Sequence, residues 1–310
     1  MKQMLILLST LVVFSSNLMS DEDDCFDYIN DEVSFKLAKY TKTIDETLST
    51  EATRKKFSQL IEDEDYYYRN NKTYLKISVG SEYTESYSTE LIQKIKLKLD
   101  LPLAKRSLKL FVDGDYEQNN VDAKNYKENT SLGLETSLSK KIDSKVRVGI
   151  SSFDNPYIKY RLGISKEYGD IVIEPYQYVK YSRKDEFYES TNLIIDKIFD
   201  KTSLSRLFLY RSSQTDSHGM NFGASLSWFK SLTDHKSLAF RVGMSGETKP
   251  INTDKNIVSY SISSDWKQNI FKEYMFLYVT PFMRFSRDRD YKSNAGVRVL
   301  FEWKFTNAKI

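Results

Sequence analysis

The sequence predicts an all-β protein: a closed antiparallel transmembrane β-barrel of about fourteen strands, with roughly twelve to sixteen as the range, and a small N-terminal helical segment. Two observations predict this fold. From residue 73 to residue 305, apolar and polar side chains alternate in successive segments of about ten residues, the pattern of strands that have one face in lipid. The chain also has a single cysteine, so no intrachain disulfide can hold these strands together.

The composition excludes several other classes of protein. Hydrophobic residues make up 40% of the chain and charged residues 29%, with 22 tyrosines, 18 phenylalanines and five prolines. Beyond the first twenty residues no apolar run is long enough for a transmembrane helix. The net charge of +3 is too small to indicate nucleic-acid binding, and no basic block stands out.

The segment 294–305 shows the alternation most clearly. One face of this strand is apolar and ends in aromatic residues, and its members are Ala295, Val297, Val299, Phe301, Trp303 and Phe305. The opposite face is mostly charged and comprises Gly296, Arg298, Leu300, Glu302 and Lys304. This strand resembles the closing strand of Gram-negative outer-membrane β-barrel proteins, although five residues, 306–310, follow the aromatic end here. The resemblance implies two partners, outer-membrane lipid and the barrel-assembly machinery that binds the C-terminal strand.

The first twenty residues are typical of a secretory signal peptide. Lys2 precedes an apolar region at 4–14 that is too short to span a membrane, and small and polar residues lead to Ser20, the predicted cleavage position. Cys25 leaves a lipoprotein as an alternative. The acidic residues at 22–24, however, stand where a lipid-attachment site needs small and aliphatic side chains.

Residues 21–71 follow a helical rather than an alternating pattern. The apolar side chains of 31–48 lie on one helical face, and a second short helix follows Ser49, with Phe57, Leu60 and Ile61 at i, i+3 and i+4. We expect a periplasmic helical segment that serves as a lid or spacer. A module that binds peptidoglycan or another partner, and a plug inside the barrel, are the alternatives.

Fourteen alternating segments follow. They lie at 73–81, 90–101, 107–117, 129–139, 145–153, 157–165, 170–181, 187–198, 203–212, 219–229, 237–246, 256–266, 274–285 and 294–305, and the pattern is weakest in 187–198 and 203–212. A secreted β-sandwich is the soluble alternative, but the polar face of nearly every segment disfavours it. If both termini lie in the periplasm, the strand number must be even. The barrel is then expected at 72–305, with a tail at 306–310.

Charged residues recur on the face that points away from lipid. The main bases expected to line the lumen are Lys94, Lys96, Lys98, Lys109, Arg147, Arg161, Arg241, Arg284 and Arg298, and the same face also carries Lys76, Lys145, Lys159, Lys180 and Lys304. The acids expected there include Asp100, Asp113, Asp115, Glu135, Glu174, Asp265 and Glu302. Because a lining of one sign selects ions of the other, this surplus of bases predicts a modest preference for anions. Small residues on the same face, such as Gly133 and Gly223, suggest space for water.

The sequence offers no convincing catalytic or metal site. Ser217 and His218 are neighbours on a strand and point to opposite faces, and His235 is expected at the other side of the membrane. No cofactor or metal is therefore predicted, and we do not expect an enzyme. The aromatic residues Trp228, Trp266, Trp303 and Phe305 lie beside short turns, where an interfacial aromatic belt is expected.

The sequence as a whole predicts a porin-like channel of the bacterial outer membrane for passive diffusion of small solutes, anionic ones among them, with its N-terminal segment and C-terminus in the periplasm. A structural or adhesive barrel whose loops form the active surface is the first alternative. A lipid-modifying outer-membrane enzyme is the second. The short connections disfavour adhesion, because large extracellular surfaces come from long insertions.

Overall fold

The computed structural model describes residues 74–101, 108–114, 130–139, 142–151, 154–184, 186–215, 219–233, 235–250, 255–271 and 274–306. Within these ranges there are fifteen strand elements and one short 3₁₀ helix, Arg287–Arg289. The strands are β1 Tyr74–Thr84, β2 Tyr87–Leu101, β3 Leu108–Gly114, β4 Thr130–Ser139, β5 Asp143–Ser151, β6 Asn155–Gly163, β7 Lys166–Tyr168, β8 Ile171–Ser182, β9 Glu186–Asp200, β10 Ser203–Gln214, β11 Met220–Thr233, β12 Lys236–Glu247, β13 Ile257–Phe271, β14 Met275–Ser286 and β15 Ser293–Thr306.

All pairings between these strands are antiparallel, and they close into a barrel. Each strand pairs with its neighbour in sequence except that β6 and β7 do not pair with each other; β6 pairs with β8 instead. Strand β1 pairs with β15 from Tyr74 opposite Thr306 to Thr84 opposite Gly296. Strand β7 lies beside the first residues of β8, on the side that β6 occupies further along. Because β6 and β7 together form one barrel strand, the described residues make a fourteen-stranded barrel, as the sequence predicts.

Closure matters because the outer face is apolar. Among the large side chains exposed there are Leu134, Val148, Leu162, Leu226 and Phe240, of which Val148 is 53% exposed. An apolar belt of this extent on a single chain indicates contact with lipid. In lipid every backbone polar group must find a partner, and a closed antiparallel barrel satisfies this requirement without leaving an edge.

Several turns differ from prediction, and two of them show how. The expected eight-residue connection at 82–89 is shorter, because β1 continues to Thr84 and β2 begins at Tyr87. The expected turn at 166–169 is partly strand: β7 pairs with β8, and the chain reverses at Gly169 and Asp170. Gly169 has a φ of 62°, a left-handed conformation that glycine adopts without a steric penalty.

Strands β9 and β10, where the alternation is weakest, form a regular ladder from Leu204 opposite Ile198 to Gln214 opposite Tyr188. The signal peptide predicted at 1–20 and the helical segment predicted at 21–71 lie outside the described residues. The described part of the chain contains no helix long and apolar enough to cross a membrane.

Candidate pore lining

The antiparallel register places the charged residues of neighbouring strands in rows on the inner face. Residues of even number face inward on β1, β2, β8, β9, β10, β14 and β15, whereas residues of odd number face inward on β3, β4, β5, β6, β11, β12 and β13. This assignment follows from the side chains that are covered, such as Lys98, Glu135, Asp196 and Glu302, and from the exposure of their apolar neighbours in sequence. The bases predicted to line the lumen all occupy inward positions.

A buried carboxylate lies at the closing seam of the barrel. Glu302 on β15 pairs with Lys76 at 2.7 Å and with Lys304 at 2.8 Å, and it accepts hydrogen bonds from Ser78 at 3.2 Å and Tyr278 at 2.9 Å. Its side chain is 3% exposed. Because these partners come from β1, β14 and β15, the cluster joins the first strand to the last two. In the part of the chain that the structure describes, these ion pairs join two lysines to one glutamate.

A second cluster lies further along the same three strands. Glu82 on β1 accepts a hydrogen bond from Arg284 on β14 at 2.8 Å and another from Arg298 on β15 at 2.7 Å. Sequence reasoning placed Glu82 in a loop and therefore did not count it among the acids of the inner face. Its presence there partly neutralises two of the predicted lumen-lining arginines, although two bases again face one acid.

The remaining predicted arginines also lie beside acids. Arg147 donates two hydrogen bonds to Glu135, at 2.7 and 3.2 Å, and its guanidinium lies 4.1 Å from the ring centroid of Phe111. Arg161 donates a hydrogen bond to Asp143 at 3.0 Å. Arg241 is 3.4 Å from Asp265, and its side chain is 41% exposed.

A further ion pair of the inner face, between Arg206 and Asp196, was not predicted from the sequence either. Arg206 on β10 donates two hydrogen bonds to the two carboxylate oxygens of Asp196 on β9, each 2.7 Å long. The alternation could have placed both residues on the inner face, because Asp196 and Arg206 have even numbers, like the inward-facing Ile194 and Phe208 of the same strands. It was not recognised because apolar residues occupy inward positions on both strands and obscure the alternation.

Three lysines of β2 form a row with a lysine of β1. Lys96 lies opposite Lys76 in the register, and Lys94 and Lys98 flank Lys96 on the same face. Lys96 and Lys98 are buried against the wall, at 7% and 1% exposed, whereas Lys94 is half-buried. Lys109 lies one row further along, at a backbone position between Asp100 and Glu135. The basic row is therefore concentrated on β1 and β2, with Lys109 next to acidic positions.

Aromatic rings occupy space that the inward glycines leave. A β-carbon on Gly223 would lie 2.3 Å from Cε1 of Tyr210, and one on Gly296 would lie 2.4 Å from Cζ of Phe282. Phe111 covers Gly133 in the same way, with Cζ at 2.8 Å. The prediction that small residues leave room for water needs this correction: at these positions the glycine lets a neighbouring ring lie flat along the wall.

The predicted interfacial aromatics lie on the outer face. Trp228 is 38% exposed and stacks on Phe240 with centroids 6.0 Å apart, and Trp266 and Trp303 are half-buried. Phe305 differs from the tryptophans, since it is 8% exposed and stacks on Tyr274 with centroids 6.2 Å apart. It therefore helps to pack the end of the barrel.

The groups considered for catalysis or metal binding can be placed only in part. Among the described residues no group of three or more His, Cys, Asp or Glu side chains is placed to hold a metal ion. His235 is exposed in the turn between β11 and β12. Ser217 and His218, the other pair considered from the sequence, lie outside the described residues.

A closed barrel with an apolar exterior and a charged interior defines a transmembrane β-barrel with the fold of the porin-like class of Gram-negative outer-membrane proteins. No protein-family model and no curated protein matches the sequence. The fold is similar to that of an anion-selective porin from Comamonas acidovorans, with a TM-score of 0.50 and 7% identity, over 75% of this chain and 98% of that chain.

Two further solved structures show lower similarity. OccK10 of Pseudomonas aeruginosa has a TM-score of 0.47 and 8% identity, over 76% of this chain and 99% of that one. A loop-deletion mutant of OmpT, an outer-membrane protein of Vibrio cholerae, has a TM-score of 0.47 and 7% identity, over 75% and 98% of the two chains. At such identities the likeness concerns the fold alone, and this fold points to the bacterial outer membrane.

Proposed function

We propose that this protein is a passive channel of the outer membrane for small solutes, with a modest preference for anions and no catalytic role. The proposal rests on one observation: the barrel is closed, its inner face is charged and its outer face is apolar. Charged side chains stay ionised only where water or counter-charges surround them, so this interior favours an aqueous lumen. A barrel of fourteen strands is also wider than the eight-stranded barrels whose interior side chains fill completely.

The preference for anions follows from the composition of the ion-pair clusters. Among the described residues, Glu302 is paired with two lysines and Glu82 with two arginines, so the bases of these clusters outnumber the acids. The lysine row on β1 and β2 adds positive charge on the same side of the barrel. A wall of this sign attracts anions and repels cations within about 10 Å at 0.1 M salt.

We also propose that both termini face the periplasm. The connections at the rim where β1 begins and β15 ends are mostly short, such as Gly169–Asp170 between β7 and β8. The opposite side carries the longer connections, including 115–129 and 248–256. Barrels of this class have short periplasmic turns and longer extracellular loops.

Solute flux into liposomes tests the channel itself. The folded protein is reconstituted into vesicles loaded with an impermeant polymer, and swelling is followed by light scattering after the addition of neutral sugars of increasing size. We expect swelling that becomes slower as the sugar becomes larger. Vesicles that hold folded protein and swell no faster than empty vesicles would contradict the proposal.

Charge reversal of the lysine row tests the preference for anions. The variant Lys94→Glu, Lys96→Glu, Lys98→Glu should shift the reversal potential in a salt gradient toward cations. The shift should be largest at about 0.01 M salt, where the Debye length is about 30 Å. Because Lys96 and Lys98 are buried, the single variant Lys94→Glu is measured as well, and it should shift the potential in the same direction.

A matched control replaces three exposed lysines outside the row by glutamate, at Lys201, Lys236 and Lys249. This variant has the same change in net charge as the triple variant of the row, and we expect a smaller shift of its reversal potential. If Lys94→Glu folds and conducts with the ion preference of the parent, these lysines do not set selectivity.

A further inference from the structure

The apolar outer face of the barrel is interrupted by polar side chains on β8, β9 and β10. Gln177 lies opposite Thr191, and Thr191 lies opposite Arg211. In the next row Glu189 lies opposite Ser213. All five residues have odd numbers on strands whose even-numbered residues face inward, so their side chains point outward, and Gln177 and Arg211 are exposed. We call these five residues the polar patch.

Apolar and aromatic side chains surround the polar patch on the outer face. They are Leu162, Tyr181, Phe187, Leu193, Leu209 and Phe222. Leu193 and Leu209 lie toward the rim where β1 begins, whereas Tyr181 and Phe187 lie toward the opposite rim and are 59% and 45% exposed. Because such side chains continue on both sides, the polar patch lies within the part of the wall that contacts lipid rather than beyond it.

Few partners are available to the polar patch within the described part of the chain. The guanidinium of Arg211 lies 3.7 Å from Sδ of Met220, a thioether that accepts only weakly and carries no charge. The register makes Arg211 and Glu189 diagonal neighbours, yet among the described residues no ion pair joins them. Nor does any described residue form a hydrogen bond with the side-chain amide of Gln177. These side chains therefore keep hydrogen-bonding capacity that the described residues do not use.

Lipid cannot satisfy the side chains of the polar patch. Hydrocarbon tails neither donate nor accept hydrogen bonds, so a charge or an amide that faces them loses its hydration without gaining a partner. Contact with a second protein surface supplies the missing hydrogen bonds. In a membrane such polar contacts favour association, because apolar side chains are solvated as well by lipid as by protein. The polar patch thus fits a surface that another protein covers.

The charges of the polar patch match a second copy of the same chain. The patch contains a base, Arg211, and an acid, Glu189, on adjacent strands, so it is complementary to itself. Under a two-fold axis that passes through the patch, one contact pairs both arginines with both glutamates. The phosphate of a lipid headgroup matches Arg211 alone, and Glu189 beside it repels such an anion. A second copy is therefore the occupant that uses both charges.

We propose that the polar patch is the contact surface of a homodimer within the membrane, in which Arg211 of each copy pairs with Glu189 of the other. Gln177, Thr191 and Ser213 add hydrogen bonds between the two walls. The contact does not involve the inner faces, so each barrel keeps its own lumen. This inference goes beyond the proposed channel and does not depend on conduction.

Charge exchange tests the pairing of Arg211 with Glu189. Energy transfer between labelled copies of the folded protein in lipid vesicles, measured at increasing dilution in lipid, gives the dissociation constant of the dimer. Arg211→Glu and Glu189→Arg should each weaken the dimer by at least about tenfold, because like charges then meet across the contact. The double variant Arg211→Glu, Glu189→Arg restores opposite charges, and its dissociation constant should return to within about threefold of the parent value.

Two further variants make this test independent of folding and of overall charge. Arg211→Leu removes the charge and places a lipid-compatible side chain on the outer face, and it should also weaken the dimer. Arg183→Glu is the matched control, because Arg183 is exposed in the connection between β8 and β9, outside the polar patch. Its dissociation constant should differ from that of the parent by less than about twofold. Equal weakening by Arg211→Glu and Arg183→Glu would overturn the inference.

A cross-link locates the contact on the wall. In a Cys25→Ser background, which removes the single cysteine of the chain, Thr191→Cys should form a disulfide between two copies on oxidation in vesicles. Val242→Cys, on the outer face of β12 where Val242 is 47% exposed, should not. Equal cross-linking at the two positions would contradict a contact through the polar patch.

The state of the parent protein decides the remaining outcomes. A parent that stays monomeric in vesicles would overturn the inference, whether Arg211 then binds a phosphorylated lipid or a different protein. Conduction is measured separately in planar bilayers. A dimer that does not conduct retains this inference and loses the proposed channel, whereas a monomer that conducts retains the channel and loses the inference.

Discussion

Two adjacent residues of β11 test which face of the barrel contacts lipid. Leu226 lies on the outer face and is 52% exposed, whereas Ser225 faces inward and lies opposite Phe208 and Gly243. Both residues are near the middle of the strand Met220–Thr233. Replacing each by arginine therefore places the same charge at the same depth on opposite faces.

The expected difference is large. An arginine facing lipid at the midplane costs about 2 to 4 kcal/mol, which lowers the ratio of folded to unfolded protein by roughly 30- to 1,000-fold. At Ser225 the arginine faces the lumen. The nearest inward arginines, Arg206 and Arg241, already lie beside Asp196 and Asp265. We therefore expect a cost of less than about 1 kcal/mol for Ser225→Arg.

The assay is reversible unfolding by urea from lipid vesicles, followed by the shift in gel mobility between folded and unfolded barrel. Leu226→Ala is the neutral control, because it removes apolar surface without adding charge. If Ser225→Arg destabilises the protein as much as Leu226→Arg, the two faces are assigned incorrectly. A cost below about 1 kcal/mol for Leu226→Arg would show that this face is not in the membrane.

Three further predictions concern the Glu302 cluster where β1 meets β15, the ring of Tyr210 on the inner face, and the turn that contains Asp170. Glu302→Ala leaves two buried lysines close together and should cost about 3 to 5 kcal/mol in the same urea assay, whereas a small effect would show that the seam does not depend on this cluster. Gly223→Ala should displace the ring of Tyr210 toward the lumen and lower the single-channel conductance; unchanged conductance would mean that the ring moves elsewhere. A hydrogen bond from Lys197 holds the pKa of Asp170 below its usual range. The small stabilisation from this carboxylate is therefore present above its unfolded pKa and is lost as pH falls through the lower folded value. Lys197→Met should raise the pKa of Asp170 in an NMR titration, and an unchanged value would exclude the contact.

The strands could be predicted because lipid and water impose opposite demands on alternate residues. In β15 the residues Val297, Val299 and Phe301 face outward and Arg298 and Glu302 face inward, so the period of two is unbroken. Sequence reasoning was weakest at β9, where Leu193, Ile194 and Ile195 run together. The structure shows the cause: Ile194 packs on Tyr176 and Phe208, so both faces of β9 are apolar at this point.

The sequence predicts which charged residues face inward better than it predicts which residues they contact. The inward positions of Arg284 and Arg298 follow from the alternation. Their contact with Glu82 follows only from the register between β1 and β15, which places Glu82 opposite Arg298. Glu82 belongs to β1 only because that strand continues to Thr84, beyond its expected end at residue 81. The stacking of rings over glycines also needs the register, because Tyr210 and Gly223 are on different strands.

Single-channel recording in a planar bilayer tests the central claim most directly. Protein folded in detergent is added to one side of the membrane, and current is recorded in potassium chloride at fixed voltage. The account predicts discrete steps of uniform size, together with a reversal potential that favours chloride in a salt gradient. Folded protein that inserts into the bilayer without producing steps would contradict the claim that this barrel is a channel.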